Sequence, residues 1–469
     1  MVKIVSELQD SLKGLLKIEK DANLWEHHAS GIFLWPLVRA YVCGSSINHI
    51  HGYSQPHARG NYVNMLKPPF LREFLRAGYF WNSKKRNYDS VFFTTGRLQR
   101  LEESKRLYCD QLYSPYFSNF QSPLILEESY RFQISRPKEY GENIFLADYI
   151  RILAKMKSYR ENLFKYEKSI SDFTDELQKQ FSPQIPLQAQ KILRTQLPKV
   201  RHLSDYADNI TSRMDGNIAF IHCASYLGLT GEITRRFKEH GIKVVEVQHG
   251  YVGPEHYAYN YPSGTAEKVM KEYLPDYYLT FGKYWGEQIQ TPSSVVTVGN
   301  PTLNRSVDGL QTKSSPRPNS ILVVSQGTVT SKMVKIAKYL SKTLPNYTIV
   351  FKLHPGEVPF THRYEDLKKY HNVQIRTYDN IYELIASSEI IVGYNSTTLF
   401  EAVAFSGKRI FILNNDIVPD SLGYKFSSCE ELRDAILDGE SGYPSAQPSY
   451  FWEPNWETNI SSFLNGCSL

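Results

Sequence analysis

Lys352-Leu353-His354-Pro355-Gly356-Glu357 and, one βα unit further on, Gly393-Tyr394-Asn395-Ser396-Thr397-Thr398-Leu399-Phe400-Glu401-Ala402 are the two stretches that decide the fold. Each follows a short apolar run, Tyr347 to Phe351 and Ile390 to Val392, that reads as a buried strand. Each then puts polar, backbone-rich residues where a helix should begin. In an open parallel sheet, ligands bind beyond the carboxyl ends of the strands, where helix N-termini direct their free N–H groups outward. Two such loops predict a site for a phosphate-bearing ligand.

The pattern extends outward in both directions. From Ile218 on, short apolar runs alternate with longer amphipathic ones: strands at Ile218 to Ile221, Lys243 to Val247, Tyr277 to Thr280 and Val295 to Val298, with a helix over Leu229 to His240. Asn300 to Asn319 is rich in Pro, Ser, Asn and Lys, lacks periodicity and reads as a linker. Beyond it come strands Ile321 to Ser325, Thr348 to Lys352, Val373 to Arg376, Glu389 to Val392 and Arg409 to Leu413, with helices Ser331 to Leu344, Ile381 to Ser387 and Thr397 to Ser406. Such alternation predicts an α/β protein with two facing Rossmann-like domains. The expected boundaries are a mainly helical region 1–85, a first domain 86–300 with a helical insert over about 147–205, a linker 301–318, a second domain 319–449 and a terminal helix 450–469. In the insert, Ile152, Met156, Tyr159, Leu163, Tyr166, Ile170, Phe173 and Leu177 form a heptad seam, expected to pack on Ile192 to Leu203 as an internal hairpin.

A chain of 469 residues exceeds one compact core, and its 41% hydrophobic and 22% charged residues are those of a globular protein. The net charge of +6 suits an anionic substrate or membrane surface, without the clustered charge of a nucleic-acid binder. Cys43, Cys109, Cys223, Cys429 and Cys467 form no CxxC pair, so neither a disulfide framework nor a zinc site is expected, and a reducing cytoplasm fits best. The first residues carry no apolar signal core. Gly31 to Cys43 is too short to span a bilayer and contains Pro36 and Arg39, so it reads as a core helix. The expected protein is soluble, at most resting on a membrane.

In the second domain, Asn395 or Ser396 can cap a helix while Thr397 and Thr398 offer hydroxyls to a phosphate, and Glu401, one turn on, is placed to accept from ribose hydroxyls. Lys352, His354, Pro355 and Gly356 supply a cation, a switchable donor and a bend without Cβ at the same edge. Ser325-Gln326-Gly327-Thr328 opens the first βα turn, where Gly327 and Thr328 would let the backbone approach a phosphate, although no full GxGxxG is present. In the first domain, Gln248-His249-Gly250 ends a strand. His249 there suits a general base, a substrate-orienting group or a merely local hydrogen bonder, with Glu255 and His256 as rivals. No metal site is expected: no Asp-x-Asp motif stands out, and His27 and His28, adjacent on a helix, point in different directions and so do not make a joint site.

The second half resembles a two-domain GT-B glycosyltransferase of bacterial surface-polysaccharide synthesis. Lys352-Leu353-His354-Pro355 resembles the His-Pro motif of bacterial sialyl- and Kdo-type transferases, and Asn395-Ser396-Thr397-Thr398 their paired Ser/Thr motif. The Gln248-His249-Gly250 turn is similar to that of CDP-glycerol glycerophosphotransferases, where the His is a base candidate. Thr398 to Ala402 with Gly407-Lys408 resembles the nucleotide-binding helix of GT-B enzymes, UDP-GlcNAc 2-epimerases included. The resemblance covers Ile218 to Leu413. It implies a metal-independent transferase without cofactor, moving a sugar from a CMP- or UDP-linked donor to a growing capsule or lipopolysaccharide glycan, free or lipid-linked, at the inner membrane face. It also admits a CDP-polyol phosphotransferase or a 2-epimerase. The Asp/Glu-Asp/Glu-Gly triplet that carries the sialyltransferase base is absent, which moves weight to His249.

Overall fold

The computed structural model describes residues 2–51, 62–82, 87–102, 106–140, 143–311, 316–327 and 329–467. The chain divides into two compact units. One comprises Met1–Glu7, Phe281–Glu287 and Thr297–Glu457; the other comprises Leu8–Thr280, Gln288–Val296 and Thr458–Leu469. Each is built on one parallel sheet, so the molecule is α/β with two Rossmann-like domains.

The parallel sheet of the unit holding most of the N-terminal residues has, among the described residues, seven strands: β1 (Tyr88–Thr95), β2 (Pro123–Glu128), β3 (Ile144–Leu146), β4 (Met214–Ile221), β5 (Lys243–Val247), β6 (Tyr277–Thr280) and β7 (Ser294–Thr297). Their order is β7-β6-β5-β4-β1-β2-β3. The chain winds one way from β1 to β3, then restarts on the other side of β1 with β4, so the switch point lies between β1 and β4. Val91, Phe92, Ile218, Ala219, Phe220, Val244 and Val245 are wholly buried, the continuous apolar runs that a sheet covered on both faces requires. Each such Val or Ile contributes about 1.5–3 kcal/mol. Gly216 is demanded by packing, since a Cβ there would lie 1.9 Å from the carbonyl oxygen of Asp89 on the neighbouring strand.

Helices Val2–Asp21, Leu34–His51 and Pro68–Asn82 make up most of the N-terminal region. Arg39, in the helix anticipated over Gly31 to Cys43, is buried against Glu19 at 2.9 Å. The Glu19 carboxylate also accepts from the indole N–H groups of Trp25 (2.8 Å) and Trp35 (3.0 Å). Arg39 donates onward to the carbonyls of Tyr257 (2.6 Å) and Asn260 (2.8 Å). The expected continuous seam is interrupted. Helix Asp148–Ser158 ends and Phe164–Gln180 begins anew, leaving Met156 and Tyr159 exposed. Tyr166, Ile170, Phe173 and Leu177 are buried against Leu193, Leu197 and Val200 of helix Gln184–Thr211, as an internal hairpin.

The sheet of the other unit has, among the described residues, six strands: β8 (Arg317–Val324), β9 (Thr348–Lys352), β10 (Val373–Arg376), β11 (Ser388–Gly393), β12 (Arg409–Leu413) and β13 (Tyr424–Phe426), in the order β10-β9-β8-β11-β12-β13. That is the doubly wound nucleotide-binding order, with its switch point between β8 and β11. The stretch read as an aperiodic linker is helical over Pro301–Gln311. Asn300 caps it, accepting from Thr302 N and Leu303 N at 3.1 Å each, and Pro301 occupies the first helical position. Helix Thr397–Ala402 is shorter than expected. Trp452 and Trp456 from the last segment are buried, Trp452 donating to the Phe400 carbonyl at 2.7 Å.

Candidate functional site

Register fixes the geometry at the carboxyl edge of the β8 sheet. Val323 of β8 pairs with Phe351 of β9 on one side and Val392 of β11 on the other. Three residues past that common level stand Gln326, His354 and Asn395. The two motif loops therefore leave the same edge, but they do not adjoin. β8 runs between them, so their strands are about 10 Å apart and the Gln326-Gly327 turn fills the gap.

His354 caps the turn that follows it: its Nδ1 accepts from Gly356 N at 3.1 Å, and its own N–H donates to the Glu357 carboxylate at 3.2 Å. A neutral ring accepting at Nδ1 carries its proton on Nε2. His354, Pro355 and Gly356 are exposed, while Glu357 is buried and also accepts from Thr330 (2.7 Å) and Tyr364. Lys352 differs from expectation. Its ammonium is buried against the carbonyls of Leu353 (3.1 Å) and Thr377 (2.6 Å), bracing the ends of β9 and β10 rather than standing toward the other two loops. Burial lowers its pKa.

Ser396 caps helix Thr397–Ala402, its oxygen accepting from Thr398 N at 3.3 Å. Asn395, Ser396 and Thr397 are half-buried and Thr398 is buried. Asn395 Oδ1 and Gln326 Oε1 are buried acceptor atoms with no hydrogen-bond partner among the described residues. Gly327 is exposed, and a Cβ there would meet nothing closer than 3.9 Å, so packing does not demand a glycine. Thr328 lies outside the described residues. Glu401, half-buried, accepts from the Tyr382 hydroxyl at 3.2 Å, and burial pushes its carboxyl up to about 7. Asn415, missed in the sequence, ties the β11 and β12 loops together, donating to the carbonyls of Tyr394 and Leu413 at 2.8 Å each.

The β1 sheet has its own constellation at the carboxyl ends of β4 and β5. His249 Nδ1 is 3.4 Å from the Tyr259 hydroxyl, which donates to the buried Glu246 carboxylate at 3.0 Å. Its Nε2 is 3.7 Å from Cys223 Sγ, and its ring lies 4.9 Å from that of His222. Burial, reinforced by the charge of Arg97, pushes His249 down to about 4. Burial pushes the Glu246 carboxyl up to about 7. His256 joins through Tyr226, its Nε2 3.1 Å from that hydroxyl. Glu255 stands apart on the turn, its carboxyl over Gly253 beside the Tyr251 hydroxyl, and burial raises its pKa. His222 and Cys223 were passed over in the sequence; a strand ending on His-Cys beside the His249 strand was the available signal.

No family model matches the chain, and no curated protein matches it by sequence. Among solved structures it is similar to UDP-GlcNAc 2-epimerase from Neisseria meningitidis bound to UDP-GlcNAc, at 13% identity over 80% of this chain and 100% of that one, with a TM-score of 0.47. It is similar to the UDP-GlcNAc 2-epimerase of Methanocaldococcus jannaschii at 11% identity over 80% and 99%, TM-score 0.46. The lipopolysaccharide outer core galactosyltransferase WaaB in its apo form gives 11% identity over 81% and 99%, TM-score 0.42. No residue role follows from likenesses at this level.

Proposed function

We propose that the chain is a nucleotide-sugar-dependent glycosyltransferase that adds a sugar to a growing bacterial capsule or lipopolysaccharide glycan, with the acceptor presented at the inner membrane face. The observation that carries this reading is the shared level of Gln326, His354 and Asn395 at the carboxyl edge of a doubly wound sheet, with two amide oxygens there lacking donors among the described residues. Those oxygens suit the N–H groups of a base or the hydroxyls of a ribose. The Nε2–H of His354 and the hydroxyls of Ser396 and Thr397 suit the diphosphate or monophosphate, and Glu401 the ribose. Lys352 has no part in this assignment, because its ammonium is committed to backbone carbonyls. Acceptor activation falls to the crevice of the other unit, where His249 is the first base candidate and Glu255 the second. Among the described residues no helix is long and apolar enough to cross a membrane, so contact with a lipid-linked acceptor would be peripheral.

A thermal-shift screen with CMP, CDP, UDP and GDP tests the donor half. One nucleotide should raise the melting temperature through mass action, by about 2.7 kcal/mol of stabilisation at a hundredfold excess over Kd. No shift with any of them overturns the donor assignment. Incubation of the sugar nucleotide without acceptor tests the class. An epimerised sugar nucleotide would replace the transferase reading, whereas a stable donor consumed only with glycan acceptor supports it. His249→Ala should abolish transfer while leaving the nucleotide shift intact.

A further inference from the structure

We propose that His222, Cys223 and His249 form a binding site for a divalent metal ion of zinc type, with an open fourth position. The inference goes beyond the transferase reading and stands without it. The ligating atoms of the three side chains all lie within 4.8 Å of one another. A tetrahedral zinc with Zn–S of about 2.3 Å and Zn–N of about 2.0–2.1 Å places its sulfur and nitrogen ligands about 3.5 Å apart. Cys223 Sγ and His249 Nε2 are 3.7 Å apart before any ion enters. The two imidazoles meet edge to face at 4.9 Å, 65° between planes, so both can turn a nitrogen to one point.

The surroundings match what such a site needs behind its ligands. His249 presents Nε2 to the cluster and Nδ1 to the Tyr259 hydroxyl, which leans on the buried Glu246. His222 has Nδ1 3.5 Å from the buried Tyr113 hydroxyl, which leaves Nε2 for the ion. A second partner on the distal nitrogen fixes the tautomer and orientation of a ligating histidine. The three ligands are half-buried at the carboxyl edge of a parallel sheet, next to its switch point, where an oxygen ligand can reach the fourth position. Cys223 also holds a left-handed backbone, φ +56°, which a non-glycine residue adopts only under constraint. Two imidazoles and a thiolate select zinc or cobalt over magnesium, manganese or calcium. On binding, the thiol proton leaves to solvent and the sulfur takes the ion.

The test uses the full chain, stripped with a chelator and titrated with Co²⁺. One equivalent should give the visible bands of tetrahedral cobalt with a thiolate-to-cobalt charge-transfer band, and one equivalent of Zn²⁺ should bleach both. Cys223→Ser should remove the charge-transfer band, His222→Ala and His249→Ala should each weaken binding about tenfold or more, and Cys109→Ser should change nothing. Absence of the charge-transfer band at one equivalent, or its survival in Cys223→Ser, overturns the proposal. Should Cys223→Ser fail to fold, alkylation of the wild-type chain decides: Zn²⁺ must protect Cys223 from iodoacetamide, and an unprotected Cys223 rejects the site. The nucleotide shift reports on the other unit and is read independently of the ion; an ion on His249 Nε2, with Nδ1 held by Tyr259, takes that ring out of proton transfer and passes the base role to Glu255.

Discussion

Glu401 is half-buried beside a single phenol, and it holds its proton up to about pH 7, well above the usual carboxylate value of 4.5. A carboxyl raised on folding favours the protonated folded chain. The destabilisation is therefore absent below about 4.5, grows between 4.5 and 7, and is complete above 7. Glu401→Gln should raise the melting temperature relative to wild type at pH 8 and leave it unchanged at pH 4.5. Ribose hydroxyls donating to this carboxylate would favour its charged form, so nucleotide affinity should rise as pH increases through 7. A nucleotide shift of equal size at pH 6 and pH 8 would remove Glu401 from the ribose. His354 separates in the same way, because it both caps its turn and carries an Nε2–H. His354→Asn keeps a side-chain cap and should lose the nucleotide shift at near-native stability. His354→Ala should lose the shift and about 1 kcal/mol besides. At this scale the sequence was readable where a residue's contact is set by its own strand end, as with Ser396, which caps the helix that follows it. It was unreadable for Lys352, whose partner Thr377 arrives only when β10 aligns with β9, and for His222, whose neighbour His249 arrives only when β5 aligns with β4.

Elements were legible wherever apolar runs were unbroken. β8 and β11 each bury three or more consecutive aliphatic residues, and β9 buries Ile349 and Phe351 on either side of a half-buried Val350, so their positions followed from the apolar runs. Polar elements were not. The helix Pro301–Gln311 buries Leu303 among Thr, Asn, Arg, Ser and Asp, so its face carries little periodicity, and only the Asn300-Pro301 pair marked its start. β3 is three residues long and β13 likewise, too short to show alternation. The heptad spacing ran through 159–163 because spacing does not register where a helix ends. Within the strands, Gly216 sets how closely β4 approaches β1. With a Cβ 1.9 Å from the Asp89 carbonyl oxygen, which is backbone and cannot rotate aside, Gly216→Ala must displace the start of β4. Overpacking of this kind costs about 1–3 kcal/mol, and a melting temperature equal to wild type would show that this end of the sheet is loose.

The N-terminal region shows how one buried charge joins sequence-distant parts of its unit. Glu19 and Arg39 lie on different helices, and from them the guanidinium reaches the carbonyls of Tyr257 and Asn260, some two hundred residues on. Those two residues bracket Tyr259, the phenol that stands between His249 and Glu246. The segment Asn23 to Arg39, distinctive in sequence but without assignable chemistry, thus braces the loop that orients the histidine crevice. Its purpose could not be read beforehand because both carbonyls are backbone groups, invisible to residue type. Arg39→Met leaves the Glu19 carboxylate buried with its two indole donors and no counter-charge, and strips both carbonyls of their donor. Removing one partner of such a pair costs about 3–5 kcal/mol. Arg39→Lys keeps the charge but not the planar fork, so it should recover only part of that stability. At a temperature where Arg39→Lys remains folded, amide exchange should quicken across 256–261 while the strands β8 to β12 stay protected. Equal protection of 256–261 in the variant and the wild type would mean that the loop holds its place without the guanidinium, and that the N-terminal helices do not set the crevice.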